Sequence, residues 1–205
     1  MTKSHFDLYR VLAGLLVVLA SMMLLHAKDT TSLSSDQLSA IKKAVATPAP
    51  ATYLLVKEDF TGDFDSIPGN INKFMSDIKE QKLDTPLEKT KPTAVLIYKE
   101  NPDEKKPFGY SVGLTVPATA KVKVEPPLSV HTLRYTSAVK VTHTGTNYQE
   151  LGAMYKNIVD LQTQKGPSQA PKFPVVLELL NDPARTPNGQ VLERLVVPVG
   201  SISEK

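Results

Sequence analysis

The chain contains no cysteine and no tryptophan among its 205 residues. Without cysteine there can be no disulfide, thiolate metal site, cysteine nucleophile or acylated cysteine of a bacterial lipoprotein, so the fold rests on its core alone. Charge of one sign is lacking too: 24 basic residues stand against 21 acidic ones, for a formal net charge of +3. No basic stripe or arm remains to follow a phosphate backbone, which argues against nucleic-acid binding. Histidine is scarce, and His131 and His143, twelve positions apart, lack the spacing of metal ligands. No metal is implied. No Gly-x-Ser-x-Gly elbow supports nucleophilic catalysis. What the chain does have is apolar residues, 41% of the total, enough for a packed core at this length.

One long apolar run occurs, Val11 to Leu25, following Lys3 and Arg10. It has the pattern of a signal-peptide core or a short anchor, and residues 1–27 are read as one or the other. Leu25 stands where a signal peptidase prefers a small residue, which favours an uncleaved anchor. A full span needs roughly 20 apolar residues, so the run crosses a membrane only with its flanks in the interface. Lys3 and Arg10 on one side against Lys28 on the other favour an exported domain, periplasmic or extracellular, or secreted if the segment is cleaved. Residues 28–51 form a spacer rich in hydroxyls and proline. Within it Ser34, Ser35 or Asp36 can cap a short helix whose Leu38, Ile41 and Val45 share one stripe, suited to docking on the domain.

The most informative feature is an internal repeat, residues 52–117 resembling residues 130–198. Ala94 to Pro102 matches Val175 to Pro183, and the same step of 81 carries Leu114-Thr115-Val116-Pro117 onto Leu195-Val196-Val197-Pro198. Upstream, Gly62 and Phe64 lead into a stripe of Ile67, Ile71, Phe74, Met75 and Ile78. Gly145 and Tyr148 lead into Leu151, Tyr155, Ile158 and Val159. A step of 84 superposes Phe64, Ile67, Ile71, Phe74 and Met75 on the second set, so both helices bury the same face. A strand precedes each glycine, giving the order strand, helix, strand, strand twice. One such unit cannot cover both faces of its sheet. Pairing two predicts an α+β fold of two pseudo-twofold βαββ repeats with antiparallel sheets and a cleft at their seam, over residues 52–199 with a tail at 200–205.

This pattern resembles the GyrI-like small-molecule-binding domain, the effector-binding domain of multidrug-responsive regulators. The resemblance is carried by Gly145 to Tyr148, Glu178-Leu179-Leu180-Asn181-Asp182-Pro183, Thr186-Pro187, and Glu193 leading into Val197-Pro198-Val199. It implies a cleft that binds amphipathic or cationic aromatic ligands above an acidic floor. The family's acidic residue usually lies four places before the proline. Here Arg194 holds that place, and a bulge would bring Glu193 into it. The tryptophan of relatives resembling cyclopropane-ring hydrolases has no counterpart, which argues against an enzyme. No DNA-binding helix-turn-helix accompanies the domain in this chain. No cofactor is implied, although a haem-binding family resembles the same duplicated fold.

Six residues are candidates for the ligand site. Glu193 shares a strand face with Val191, Leu195 and Val197, and a carboxylate there needs either a ligand cation or a base such as Arg134 or Arg185. Glu178 alternates with Val176 and Leu180 and belongs either to the cleft or to an edge. Tyr98, Tyr110, Tyr148 and Tyr155 offer apolar bodies with polar tips for an aromatic cleft, although the helical spacing of Tyr155 with Leu151 and Ile158 favours the helix–sheet core for it. Three readings compete: a non-catalytic sensor or carrier held at a membrane, a protein-interaction scaffold with a filled cleft, and a hydrolase. For the scaffold there is a precedent by resemblance, since autophagy receptors of the animal endoplasmic reticulum place one anchor before a cytosolic domain of this type.

Overall fold

The computed structural model describes residues 32–88, 90–102, 106–144, 148–166, 170–181 and 191–205. The expected hydrophobic segment at residues 1–27 lies outside them. Among the described residues no helix is long and apolar enough to cross a membrane. The helices are α1 (Ser35–Ala46), α2 (Ile67–Glu80), the short α3 (Asp84–Glu88) and α4 (Tyr148–Thr163). The strands are β1 (Ala49–Gly62), β2 (Ala94–Tyr98), β3 (Phe108–Thr115), β4 (Ser129–Thr144), β5 (Val175–Leu179), β6 (Leu192–Pro198) and β7 (Ile202–Glu204).

Local chemistry explains where the helices begin. Ser34 and Gln37 cap α1 reciprocally: Ser34 Oγ accepts from the Gln37 N–H at 3.2 Å while Gln37 Oε1 accepts from the Ser34 N–H at 2.8 Å. Ile41 and Val45 then bury the face of α1 that packs on α4 and β4. For α2 the way is prepared by a 3-10 turn, Phe64–Ser66, capped by Asp63, and Pro68 sits in the first helical turn, where a missing N–H is harmless. Its buried stripe is Ile67, Ile71, Phe74, Met75 and Ile78, the residues that helical periodicity marks in the sequence.

All ladders are antiparallel and run in the order β1-β3-β2-β5-β6-β4-β7, and a further β1–β4 pairing closes six of the strands into a barrel-like ring. Closure buries both faces of the sheet. Outward, Leu96, Val112, Leu114, Val139 and Leu195 meet Ile41 of α1, Ile71 of α2 and Ile158 of α4 in one large core. Inward, Tyr53, Leu55, Ile97, Leu133, Tyr135 and Val196 form a smaller one.

The order strand, helix, strand, strand runs over β1, α2, β2 and β3, and again over β4, α4, β5 and β6, with α3 added to the first run. Exchanging β1, β2 and β3 for β4, β5 and β6 leaves the set of ladders in the ring unchanged. At the junction of β2 and β5, Leu96 lies opposite Leu177. The constant step of 81 is not kept throughout. Leu96 faces Val112 and Leu177 faces Leu195, so partners 81 apart on one strand are 83 apart on the next. Glu193 thereby occupies the ladder position that Tyr110 has in the first run. The bulge expected in β6 is also absent: its ladder to β4 runs from Thr144↔Leu192 to Ala138↔Pro198 without a shift. Plain alternation therefore sends Glu193 to the outer face, with Leu195, and Arg194 to the inner one.

Candidate ligand-binding site

A cavity of about 400 Å³ opens on the outer face between α4 and the junction of β2, β5 and β6. Leu151, Gly152, Tyr155 and Val159 of α4 form one wall, and Tyr98, Val175, Leu177 and Leu195 form the sheet side. Phe64 and Phe173 close its ends, and Asn101, Pro102 and Lys156 complete it. The size suits a small-molecule site. Gly152 helps to make the space, since a Cβ built there would meet no other atom within 4 Å. Aromatic contacts brace the walls. Tyr155 meets Phe173 at 6.0 Å between ring centroids, and Phe108 meets Phe64 at 4.8 Å and Tyr98 at 6.1 Å. Burial pushes the Tyr155 hydroxyl above its ordinary pKa, so this wall is uncharged at neutral pH.

Of the candidates from the sequence, Tyr98 and Tyr155 line this cavity. The side chain of Tyr148 lies outside the described residues. Tyr110 does not reach the cavity. It is fully buried under α2, where Asn70 Nδ2 donates to its hydroxyl at 2.6 Å and Ser66 Oγ lies 3.3 Å away. Glu178 is on the wrong face for the cavity, inside the ring, because β5 alternates and Leu177 takes the outer position. Its carboxylate accepts from Arg194 Nε; burial, with this carboxylate adding to it, pushes the Tyr53 hydroxyl to a higher pKa. Glu178 and Arg194 are thus a structural pair across β5 and β6.

Glu193 has the right face but does not line the cavity. It is 1% exposed, one alternation beyond Leu195, and neither carboxylate oxygen has a hydrogen-bond partner. Burial pushes its pKa up to about 7. Arg134 is not its partner, and Arg185 lies outside the described residues. Across the ladder stands His143, also buried, its Nε2 3.4 Å from Glu150 Oε2 without a hydrogen bond. Burial depresses the His143 pKa, and the Glu150 carboxylate only partly opposes this. Glu150 in turn accepts from Gln37 Nε2 of α1 at 3.2 Å.

A second, polar cavity of about 560 Å³ lies at one end of the ring interior, lined by none of the six candidates from the sequence. Lys57 and Lys99 both pair with Asp59, at 2.5 and 3.0 Å, and Ser111 Oγ donates to the same carboxylate at 2.6 Å. Burial alone would raise the Asp59 pKa, but these three partners outweigh it and hold it at about 2. The signal was present in β1, where Lys57 and Asp59 continue the inward alternation of Tyr53 and Leu55. Only ring closure places that row on the inner face, where Lys57 is buried and Asp59 stays half exposed.

Several solved structures are similar to this chain, three of them from Listeria innocua. An uncharacterized conserved protein is 14% identical, covering 76% of this chain and 92% of its own at a TM-score of 0.46. Two proteins described as hydrolases are 16% and 15% identical, each covering 79% of this chain and 96% of its own at TM-scores of 0.43 and 0.44. No curated protein matches in sequence. The family described as the GyrI-like small molecule binding domain matches residues 49–199, from the first residue of β1 to just beyond β6, and the chain belongs to that family.

Proposed function

We propose that this protein is a non-catalytic carrier or sensor of small amphipathic molecules, tethered to a membrane by residues 1–27, with the cavity beside α4 as its ligand site. The two strand-helix-strand-strand runs are in this reading a pseudo-twofold duplication, and the ligand sits at their seam, close to Leu177. The observation that carries the proposal is the cavity itself: open, walled by leucine, valine and aromatic rings, and left unfilled by side chains. That favours a ligand site over a scaffold with a degenerate cleft. The described lining holds no carboxylate or imidazole to take up a proton, which supports a binding role over hydrolysis.

The test uses the whole chain in phosphatidylcholine nanodiscs and N-phenyl-1-naphthylamine, a neutral fluorescent probe of apolar sites. Wild-type discs are expected to enhance its fluorescence beyond discs carrying Gly152→Leu. That variant plugs the cavity, and it also relieves a helical glycine, which costs about 1 kcal/mol relative to alanine, so lost binding would not reflect unfolding. Equal enhancement in both would sink the proposal. The tether has its own test. Alkaline carbonate washing of membranes is expected to leave the chain in the pellet, and release into the supernatant would rule out an anchor.

A further inference from the structure

The charge of the ligand can be read from the mouth of the same cavity, an inference that rests on the ligand-site reading above. Among the described lining residues Lys156 is the one ionised side chain; the others are apolar, aromatic, or the amide of Asn101. Lys156 lies one turn beyond Gly152 on α4 and is exposed. It makes no ion pair among the described residues, and Asp160, four positions on, does not hold it. A lysine in this position runs its aliphatic stem along an apolar wall and leaves its ammonium at the opening.

The described carboxylates nearest in the sheet and in α4 do not line the cavity. Glu193 is sealed behind Leu195 at 1% exposure. Glu150, in the first turn of α4, accepts from Gln37 Nε2 and does not line the cavity. Glu178 is on the opposite face of the sheet, held by Arg194. Among the described residues a cation entering this cavity would therefore meet an uncompensated ammonium and no counter-charge, whereas an anion would meet Lys156 and the Asn101 amide, both without partners there.

We infer that the cavity takes an amphipathic anion, an aliphatic or aryl chain ending in a carboxylate or a similar anionic head, with its tail against Leu151, Val159, Leu177 and Leu195 and its head on Lys156. Lys156 is then the residue that sets selectivity for head-group charge. The apolar walls supply affinity without regard to charge, by removing the tail from water. The anionic head can belong to a free carboxylate or to a membrane lipid.

Three radiolabelled probes with one tail and different heads decide the matter: dodecanoate, dodecanol and dodecyltrimethylammonium. Each is equilibrated with phosphatidylcholine nanodiscs carrying the full chain, and binding to Gly152→Leu discs is subtracted, which cancels partition into the bilayer. Wild type is expected to bind dodecanoate most tightly and dodecyltrimethylammonium least, each step about fivefold for one partly exposed charge contact. Lys156→Glu is expected to reverse the order of dodecanoate and dodecyltrimethylammonium. Discs containing phosphatidylglycerol identify the source: competition against dodecanoate supports a lipid head group, and undiminished binding supports a free carboxylate. Preference for dodecyltrimethylammonium in the wild type, or an order indifferent to Lys156→Glu, would overturn the anion inference and leave the site standing. Failure of all three probes to exceed the Gly152→Leu background would remove the ligand site itself.

Discussion

Glu193 is a buried carboxylate without a hydrogen-bond partner among the described residues, and the cost of burying it depends on pH. Glu193 has a folded pKa of about 7 against an ordinary value of 4.5, raised by burial. A carboxyl whose pKa rises on folding gives its full stability below the unfolded value and loses it as pH climbs through the folded one. The loss therefore falls between pH 4.5 and 7 and amounts to about 3 kcal/mol at 1.36 kcal/mol per unit. His143, whose pKa is depressed by burial, works in the opposite direction over part of that range, so wild type alone would mix the two. The comparison that isolates Glu193 is with Glu193→Gln, which keeps the shape and cannot ionise. Urea denaturation across pH 4.5 to 8 is expected to show the variant gaining on wild type as pH rises, with the gain levelling off above pH 7. A difference that stays constant with pH would mean that the carboxylate is already neutralised or solvated. The sequence pointed to this residue for the right reason, a charge on an apolar strand face. It could not show that helix α4 and Leu195 separate it from the cavity.

At the level of elements, the helices were more legible than the strands. The stripe of α2 and the cap at Ser34 are local features, and a 3.6-residue period or a capping pair in the sequence is enough to find them. A strand is found by contrast between a buried and a wet face, and here the ring removes the contrast. Every residue of β2 and of β5 is buried, since one set enters the outer core and the other the inner core. Alternation then says that Glu178 and Leu177 face opposite ways but not which way holds the ligand. The same blindness hid the inward continuation of β1 through Lys57 and Asp59, where paired charges replace apolar side chains. Register was the other limit. Matched motifs gave a single step of 81, while the ladders require 83 between Val112 and Leu195, and a two-residue offset preserves the face of every side chain. The hydrophobic pattern is therefore unchanged by it, and only the paired backbones reveal that Glu193 and Tyr110 hold equivalent places. At one of them Asn70 and Ser66 provide for the hydroxyl, whereas at the other nothing provides for the carboxylate.

For the whole molecule, the ring makes the two runs dependent on each other. Removing either one would leave the edges of β1 and β2, or of β4 and β5, without partners, because the β1–β4 and β2–β5 ladders are the joints between them. It would also open both cores. The inner core draws Tyr53, Leu55 and Ile97 from one run and Leu133, Tyr135 and Val196 from the other. Helix α1 adds a further bond: it precedes the first run but packs on α4 and β4 of the second, where Lys165 Nζ donates to the Val45 carbonyl at 2.6 Å. Each run alone would expose the apolar residues that the shared cores bury, while still having to offset its own chain entropy. The protein is therefore expected to unfold as one cooperative unit despite its two similar parts. Native-state hydrogen exchange followed by peptide mass spectrometry tests this. Amides in β2 and β5, one from each run, should open with the same free energy and the same dependence on urea. A lower opening energy for one whole run would show that the other stands without it, and that the seam beside Leu177 is a hinge between two units.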